Sequence, residues 1–196
     1  GSGGWLRLDR SQKRSPDKMR VSETERRLLI ATAHELADVA RVETLRHFRS
    51  AGLTADSKET KRFDPVTVAD RAAEAAMRAV LAERRPKDGI LGEEFGTKPS
   101  ESGLTWVLDP IDGTRGYLSG TPTWGVLIAV ADDSGPIFGL IDQPYIGERF
   151  PGGLGIAEVA GPVGRAPLAA RGPRPLSEAI LFTTFPEVGT DEEGAA

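Results

Sequence analysis

The stretch Trp106-Val107-Leu108-Asp109-Pro110-Ile111-Asp112-Gly113-Thr114 places two carboxylates at the end of a short apolar run. Residues 104–108 are apolar and partly β-branched, as in a buried strand, and Pro110 predicts the end of that strand because proline lacks the N–H that a sheet ladder needs. Gly113 can adopt backbone angles that other residues avoid, and Thr114 adds a hydroxyl. Carboxylate, carbonyl and hydroxyl oxygens suit Mg2+. The stretch therefore predicts either a divalent-metal site or an ordinary turn, since Asp, Pro and Gly are common turn formers.

A second acidic segment lies upstream, where Ile90-Leu91-Gly92-Glu93-Glu94 is another short apolar run that ends in adjacent carboxylates. If the two strands lie side by side, Glu93, Asp109 and Asp112 gather in one pocket. Three carboxylates packed together repel one another unless a cation neutralises them. The second segment therefore favours the metal-site interpretation.

Together these motifs resemble those of the Mg2+-dependent inositol monophosphatase family of phosphomonoesterases. The resemblance rests on Gly92-Glu93-Glu94 and on the stretch 106–114, and it runs from about Glu23 to the end of the chain. Two flanking segments, 114–125 and 141–150, are most similar to the bacterial histidinol-phosphatase branch. The resemblance covers the N-terminal portion of a usual family member. It implies an α+β fold with two long helices packed on a mostly antiparallel sheet, which is the first half of an αβαβα architecture whose C-terminal α/β half is missing here.

The resemblance also implies roles for the acidic residues and their neighbours. A first Mg2+ is expected to be held by Glu93, Asp109, the Ile111 carbonyl and phosphate oxygens, and a second by Asp109 and Asp112. Glu93 and Thr114 are expected to orient the attacking water.

Three further residues receive roles. The backbone N–H groups of Gly113 and Thr114 are expected to cradle the phosphate. In Pro65-Val66-Thr67-Val68-Ala69-Asp70, Thr67 can cap a helix and Asp70 can close a capping box with it. The resemblance instead makes Asp70 a catalytic residue and a ligand or near-ligand of a further metal, so both roles stay open.

Hydrophobic periodicity predicts the surrounding elements. A long helix begins after Ser22 and is expected to end at Gly52. A second helix, which Thr67 can cap, continues through the alanine-rich residues 72–81 and is expected to end at Arg84-Arg85-Pro86. Residues 124–130 and 136–141 form a predicted hairpin, which 148–150 and 155–159 extend as a meander. A further strand is expected at 179–185 and a helix start near Thr190. His34 and His47 lie in the first helix without a nearby acidic cluster, so they are interpreted as ordinary helix residues and not as zinc ligands.

These elements suggest three parts. Residues 1–18 are expected to be a disordered leader or an artificial extension, 19–175 a metal-binding phosphatase domain of helices and antiparallel sheet, and 176–196 the start of a truncated C-terminal α/β domain.

Composition narrows the class of protein. The chain has 196 residues, 39% of them apolar and 28% charged, which is typical of a globular domain. A net charge of -4 argues against nucleic-acid or membrane-surface binding, because both need a basic face. Cysteine is absent, so disulfides and thiolate sites are excluded. No apolar run approaches the ~20 residues that span a bilayer. We therefore expect a cytoplasmic protein that acts on a small phosphomonoester and can form a homodimer through an exposed apolar seam.

The resemblance predicts an enzyme, with one departure. A usual family member also carries a Trp-Asp-x-Ala-Ala type segment whose aspartate completes the metal site, and this sequence contains no Trp-Asp pair. The leading hypothesis is a phosphatase that converts histidinol phosphate to histidinol in histidine biosynthesis. The alternatives are an inositol-1-phosphate or related sugar or nucleotide phosphatase and, in another class, a catalytically incompetent metal-binding fragment.

Overall fold

The computed structural model describes residues 21–50, 56–57, 65–66 and 68–180. In chain order, the elements are α1 (Glu23–His47), β1 (Asp56–Ser57), β2 (Pro65–Val66), α2 (Val68–Arg84), β3 (Gly89–Gly92), β4 (Gly96–Lys98), β5 (Thr105–Asp112), α3 (Thr114–Leu118), β6 (Gly125–Asp132), β7 (Gly135–Gln143), β8 (Glu148–Gly153), β9 (Ile156–Gly161), β10 (Gly164–Pro167) and a 3-10 helix (Leu176–Glu178). Strands β1 and β2 pair with each other. The other eight strands form one sheet in the order β10-β9-β8-β7-β6-β5-β3-β4, which is antiparallel except between β3 and β5.

This architecture is the predicted α+β fold, with two long helices and a mostly antiparallel sheet. The predicted hairpin is β6–β7, and the meander continues through β8 and β9. Residues 1–18, Thr67, most of the predicted strand 179–185 and the helix start near Thr190 lie outside the described residues, so the three-part domain division stays a prediction. No helix within the described residues is both long enough and apolar enough to cross a membrane.

Helix α1 begins as predicted and ends earlier than predicted. The Ser22 hydroxyl oxygen accepts a hydrogen bond from the backbone N–H of the third helical residue at 3.1 Å, which caps the helix. The expected end at Gly52 is wrong, because the helix ends at His47. Phe48 takes an extended conformation, and its ring centroid lies 5.2 Å from that of Tyr117. Burial of the Phe48 ring among other aromatic rings thus ends the helix before the glycine is reached.

The main core lies between the two long helices and one face of the sheet. Alternation along the central strands turns every second side chain toward the helices, as the period of a β-strand requires. The large side chains buried there are Leu29, Leu36, Met77, Leu81, Trp106, Leu108, Ile128, Val130, Phe138 and Leu140. The opposite face is also apolar and contains an open groove of about 590 Å³ lined mainly by β5, β6, β7 and β8. Apolar side chains on both faces explain why these strands read as nearly continuous apolar runs.

The parallel pairing of β3 with β5 positions the acidic motifs. Gly92 lies opposite Leu108 in the last pair of β3 and β5, and Glu93 and Asp109 are the residues that follow this pair. The prediction that the two acidic segments lie side by side is therefore confirmed.

Pro110 does not end strand β5, contrary to the prediction. Asp109 pairs with Leu127 and Asp112 with Gly125, so Pro110 and Ile111 lie opposite a single residue of β6. This extra residue is a β-bulge, where proline is tolerated because the local ladder is already interrupted. The bulge shifts the register between the two aspartates of the motif.

Candidate active site

Asp109 is the most perturbed carboxylate near the acidic motifs. Its side chain is partly buried, and its Oδ1 atom is fully buried without a hydrogen-bond partner among the described residues. Burial raises the pKa of Asp109 to about 7, with further contributions from the negative charges of Glu93, Asp112 and Asp70. The carboxylates that the sequence predicted to gather therefore act on one another electrostatically.

Asp70 lies in the same acidic region, although it comes from a different element. It is buried in the first turn of α2, with 4% of its surface exposed. Its charge contributes to the raised pKa of Tyr117 and of Glu94, after burial as the largest cause in each case. The guanidinium of Arg71 acts on Glu94 in the opposite direction from 3.6 Å. Asp70 therefore acts electrostatically on residues near the ends of β3 and β5. Its metal-binding role stays a prediction, and its capping partner Thr67 lies outside the described residues.

Gly113 and Thr114 form the turn after β5. Gly113 has φ +87°, and a Cβ atom there would lie 2.7 Å from the Thr123 carbonyl oxygen, so the turn requires glycine. Thr114 is the first residue of the short helix α3, and its hydroxyl donates a hydrogen bond to the Ile111 carbonyl at 3.1 Å. The Ile111 carbonyl, a predicted metal ligand, and the Thr114 hydroxyl, a predicted water-orienting group, are therefore in direct contact.

The acidic side chains are close enough to interact but do not converge on one point. Among the described residues, no three His, Cys, Asp or Glu side chains form a group that could hold a metal ion as they stand. Glu93 and Asp112 are both exposed, so rotation about their side-chain bonds can change the positions of their carboxylates. The donor set consists of oxygen atoms only, which suits a hard divalent cation, and the unpartnered Oδ1 of Asp109 is an oxygen atom that such a cation could contact.

Sequence reasoning missed Glu74, which lies one helical turn beyond Asp70 on α2. Glu74 is fully buried, and its Oε2 atom accepts a hydrogen bond from the backbone N–H of Glu94 at 2.7 Å. Arg78 pairs with it, also at 2.7 Å. The spacing of Asp70, Glu74 and Arg78 at intervals of four residues was the available signal, because residues four apart share a helix face.

The chain is similar in sequence to known phosphatases. The sequence model of the Inositol monophosphatase family matches residues 25–193. The histidinol-phosphatase of Mycobacterium tuberculosis is 42% identical over 123 residues, which cover 63% of this chain and 46% of that protein. The inositol-1-monophosphatase ImpA of Mycolicibacterium smegmatis is 41% identical over 123 residues, covering 62% and 42%.

A solved structure supports the same fold. The extragenic suppressor protein suhB from Bartonella henselae superposes with a TM-score of 0.63 at 28% identity, covering 73% of this chain and 55% of that one. This chain spans about half the length of the curated relatives that it matches. With the acidic motifs at the ends of two parallel strands and the family match over most of its residues, the chain belongs to the inositol monophosphatase family.

Proposed function

We propose that this chain supplies the metal-binding part of a Mg2+-dependent phosphatase whose substrate is histidinol phosphate. The observation that carries the proposal is the state of Asp109, whose pKa is raised to about 7 by burial and by neighbouring carboxylates and whose Oδ1 has no partner among the described residues. A buried carboxylate surrounded by negative charge gains most from a bound cation.

The ligand assignment follows the chemistry of the donors. Glu93, Asp109, the Ile111 carbonyl and Asp112 offer oxygen atoms only, and Asp70 adds a carboxylate from α2. When bound, Mg2+ lowers the pKa of a water molecule and offsets the negative charge of the phosphate oxygens. The groups of the chain itself then decide the position of the water and of the phosphate.

The attacking water is assigned to Glu93 and Thr114. In this proposal the carboxylate of Glu93 would accept a hydrogen bond from the water, and the Thr114 hydroxyl, which contacts the Ile111 carbonyl, would help to orient it. Gly113 has no side chain to block the phosphate from the backbone N–H groups of Gly113 and Thr114. Phosphoryl transfer needs little covalent help, so positioning and charge stabilisation are expected to supply most of the rate.

The choice of substrate rests on segments 114–125 and 141–150, because overall identity to the histidinol-phosphatase and to ImpA differs by a single percentage point. Both segments contact Arg49. Its guanidinium donates hydrogen bonds to the Gly120 carbonyl at 2.7 and 2.9 Å and to the Tyr145 hydroxyl at 2.6 Å. This shared contact supports their acting together on the alcohol part of the substrate. Histidine biosynthesis, a cytoplasmic location and a homodimer stay predictions.

The test is phosphate release by the 196-residue chain from histidinol phosphate and from inositol-1-phosphate, with Mg2+ and with a chelator. We expect metal-dependent release that favours histidinol phosphate at least about tenfold. Asp112→Asn is expected to lower release by at least about a hundredfold, because it removes a charge from the site.

Glu101→Gln, in the turn between β4 and β5, removes an exposed carboxylate and is the matched control. Activity retained in Asp112→Asn would contradict the site assignment, and a preference for inositol-1-phosphate would contradict the substrate. A folded chain that binds Mg2+ without turnover would instead favour the metal-binding fragment.

A further inference from the structure

The turn between β3 and β4 donates hydrogen bonds to a buried carboxylate of α2. Glu74 has none of its surface exposed. Its Oε2 accepts a hydrogen bond from the Glu94 backbone N–H at 2.7 Å, and its Oε1 accepts one from the Phe95 backbone N–H at 3.3 Å. Consecutive N–H groups of the turn thus converge on one carboxylate.

Arg78 fixes the far end of the same turn. Its Nε atom donates to Glu74 Oε1 at 2.7 Å, and its Nη2 atom donates to the Gly96 carbonyl. The guanidinium carbon lies 5.9 Å from the centre of the Phe95 ring. The Glu74–Arg78 pair therefore binds the turn at three backbone positions and across one aromatic face.

Gly92 provides the space that Glu74 occupies. A Cβ atom on Gly92 would lie 1.9 Å from Glu74 Oε1, so any other residue at this position would displace the carboxylate. The carboxylate therefore lies against the backbone just before Glu93 and bonds to the backbone just after it. Glu74 thus contacts the backbone on both flanks of Glu93, while the Glu93 side chain is exposed and its charge acts on Asp109.

Burial of a charged pair is a poor way to stabilise a core, because desolvation opposes the Coulomb attraction and well-packed apolar residues often do as well. What a buried carboxylate provides and an apolar side chain does not is a directional anchor for backbone N–H groups. The location of this anchor beneath the Gly92-Glu93-Glu94 motif indicates what it fixes.

We propose that Glu74 is a positioning residue that fixes the Glu93–Phe95 turn so that the Glu93 carboxylate faces Asp109. The proposal rests on the proposed function only in that the positioned group is there a Mg2+ ligand. Glu74 itself contacts neither the substrate nor the metal in this scheme. Its effect passes through the backbone of the turn.

The experiment compares Glu74→Gln with Glu83→Gln. The second variant removes an exposed carboxylate from the same helix, and this carboxylate lies 3.6 Å from the guanidinium of Arg84. The first readout is hydrogen exchange of the Glu94 and Phe95 amides in the metal-free chain, followed by NMR. We expect exchange to accelerate at least tenfold in Glu74→Gln, while amides of β6 and β7 keep their protection. The second readout is Mg2+ affinity by calorimetry, which we expect to fall at least tenfold. In turnover assays, the Mg2+ concentration for half-maximal activity should rise more than kcat falls.

Gly92→Ala is the second variant, and it is expected to reproduce both effects by displacing the carboxylate. Unchanged exchange at Glu94 and Phe95 in folded Glu74→Gln overturns the proposal, and so does faster exchange with unchanged Mg2+ affinity. If the parent chain binds no Mg2+, the proposed function fails, whereas the exchange rates still decide whether Glu74 fixes the turn. If Glu74→Gln does not fold, Gly92→Ala decides by the same two readouts.

Discussion

Two acidic residues of the sheet, Asp142 and Asp109, have opposite surroundings. Asp142 on β7 is fully buried and accepts hydrogen bonds from Arg41 at 2.6 and 3.1 Å and from Arg149 at 2.7 Å. Asp109 on β5 is only partly buried, and the strongest charges acting on it are those of Glu93 and Asp112. The more deeply buried acid is thus the better neutralised one.

This difference separates a structural charge from a binding charge. The chain supplies the cations that Asp142 needs, and the resulting network joins α1 to β7 and β8. Burial raises the pKa of Asp109, the carboxylates around it raise that pKa further, and its Oδ1 has no hydrogen-bond partner among the described residues. The identity of the neighbours, and not the depth of burial, therefore identifies the acid that is prepared for an external cation.

The largest expected effect comes from breaking the ion-pair network of Asp142, Arg41 and Arg149. Asp142→Asn leaves the guanidinium groups of Arg41 and Arg149 without their shared counter-charge, and loss of one partner of a buried ion pair costs roughly 3–5 kcal/mol. We expect the free energy of unfolding, measured by urea denaturation, to fall by about 3 kcal/mol, since Asn keeps the shape and part of the hydrogen bonding.

The matched control is Glu83→Gln, which breaks the ion pair between two exposed side chains of α2, Glu83 and Arg84. Its expected cost is below about 1 kcal/mol, because solvent screens exposed pairs. Equal losses in the two variants would show that Asp142 contributes no more to stability than a surface acid, which contradicts its role as a structural charge.

Asp109→Asn is expected to act in the opposite direction and with smaller magnitude. The folded-state pKa of Asp109 lies above that of the unfolded chain, so the folded protein favours the protonated form. The stability from this group is complete below the unfolded pKa and is lost as pH rises toward 7. Since the side chain is partly exposed, solvent screening reduces the effect, and we expect Asn to stabilise the metal-free chain by about 1 kcal/mol at pH 8.

Thermal unfolding with a chelator at pH 8 and at pH 4 measures this effect. The gain should be present at pH 8 and absent at pH 4, where Asp109 of the folded parent is protonated and carries no charge, like the asparagine of the variant. Added Mg2+ should raise the melting temperature of the parent and not of Asp109→Asn. A variant that is less stable at pH 8 would mean that the carboxylate is satisfied within the chain.

The sequence predicted the parts of this comparison that depend on local pattern. The cap at Ser22 and the two apolar strands that lead into the acidic residues could be recognised because capping and apolar runs are short-range features. The continuation of β5 through Pro110 could not, since a bulge depends on the partner strand.

Contacts distant in sequence were the other source of error. Phe48 ends α1 because of rings that lie about 70 or more residues away in the chain, among them Tyr117. The burial of Glu74 depends on the turn at Glu94 and Phe95, which lies 20 and 21 residues away. No periodicity in one segment reveals such a contact, so the positioning of the site could be read only from the structure.

The smallest expected effect concerns His34, which lies beside Arg149 at the edge of the ion-pair network of Asp142, Arg41 and Arg149. Its Nδ1 atom lies 3.2 Å from Arg149 Nη1, and the same arginine donates to Asp38 at 2.8 Å. Burial and the charge of Arg149 lower the pKa of His34, with Arg165 adding to this and Asp38 and Glu158 opposing it. The neutral ring, with Nδ1 as acceptor, is thus the form that the fold favours.

A lowered pKa gives a definite direction to the pH dependence. Stability from His34 is complete above the unfolded pKa of about 6.5 and is lost as pH falls through the lower folded value, because the unfolded chain takes up the proton first. We expect His34→Asn, which keeps an acceptor near the Nδ1 position, to reduce the loss of unfolding free energy between pH 7 and pH 5 by less than about 1 kcal/mol. His47→Asn at the end of α1 is the control. Should His34→Asn steepen the decline instead, the imidazole must be charged in the folded state, and Arg149 would then be held by Asp142 and Asp38 against a neighbouring positive charge.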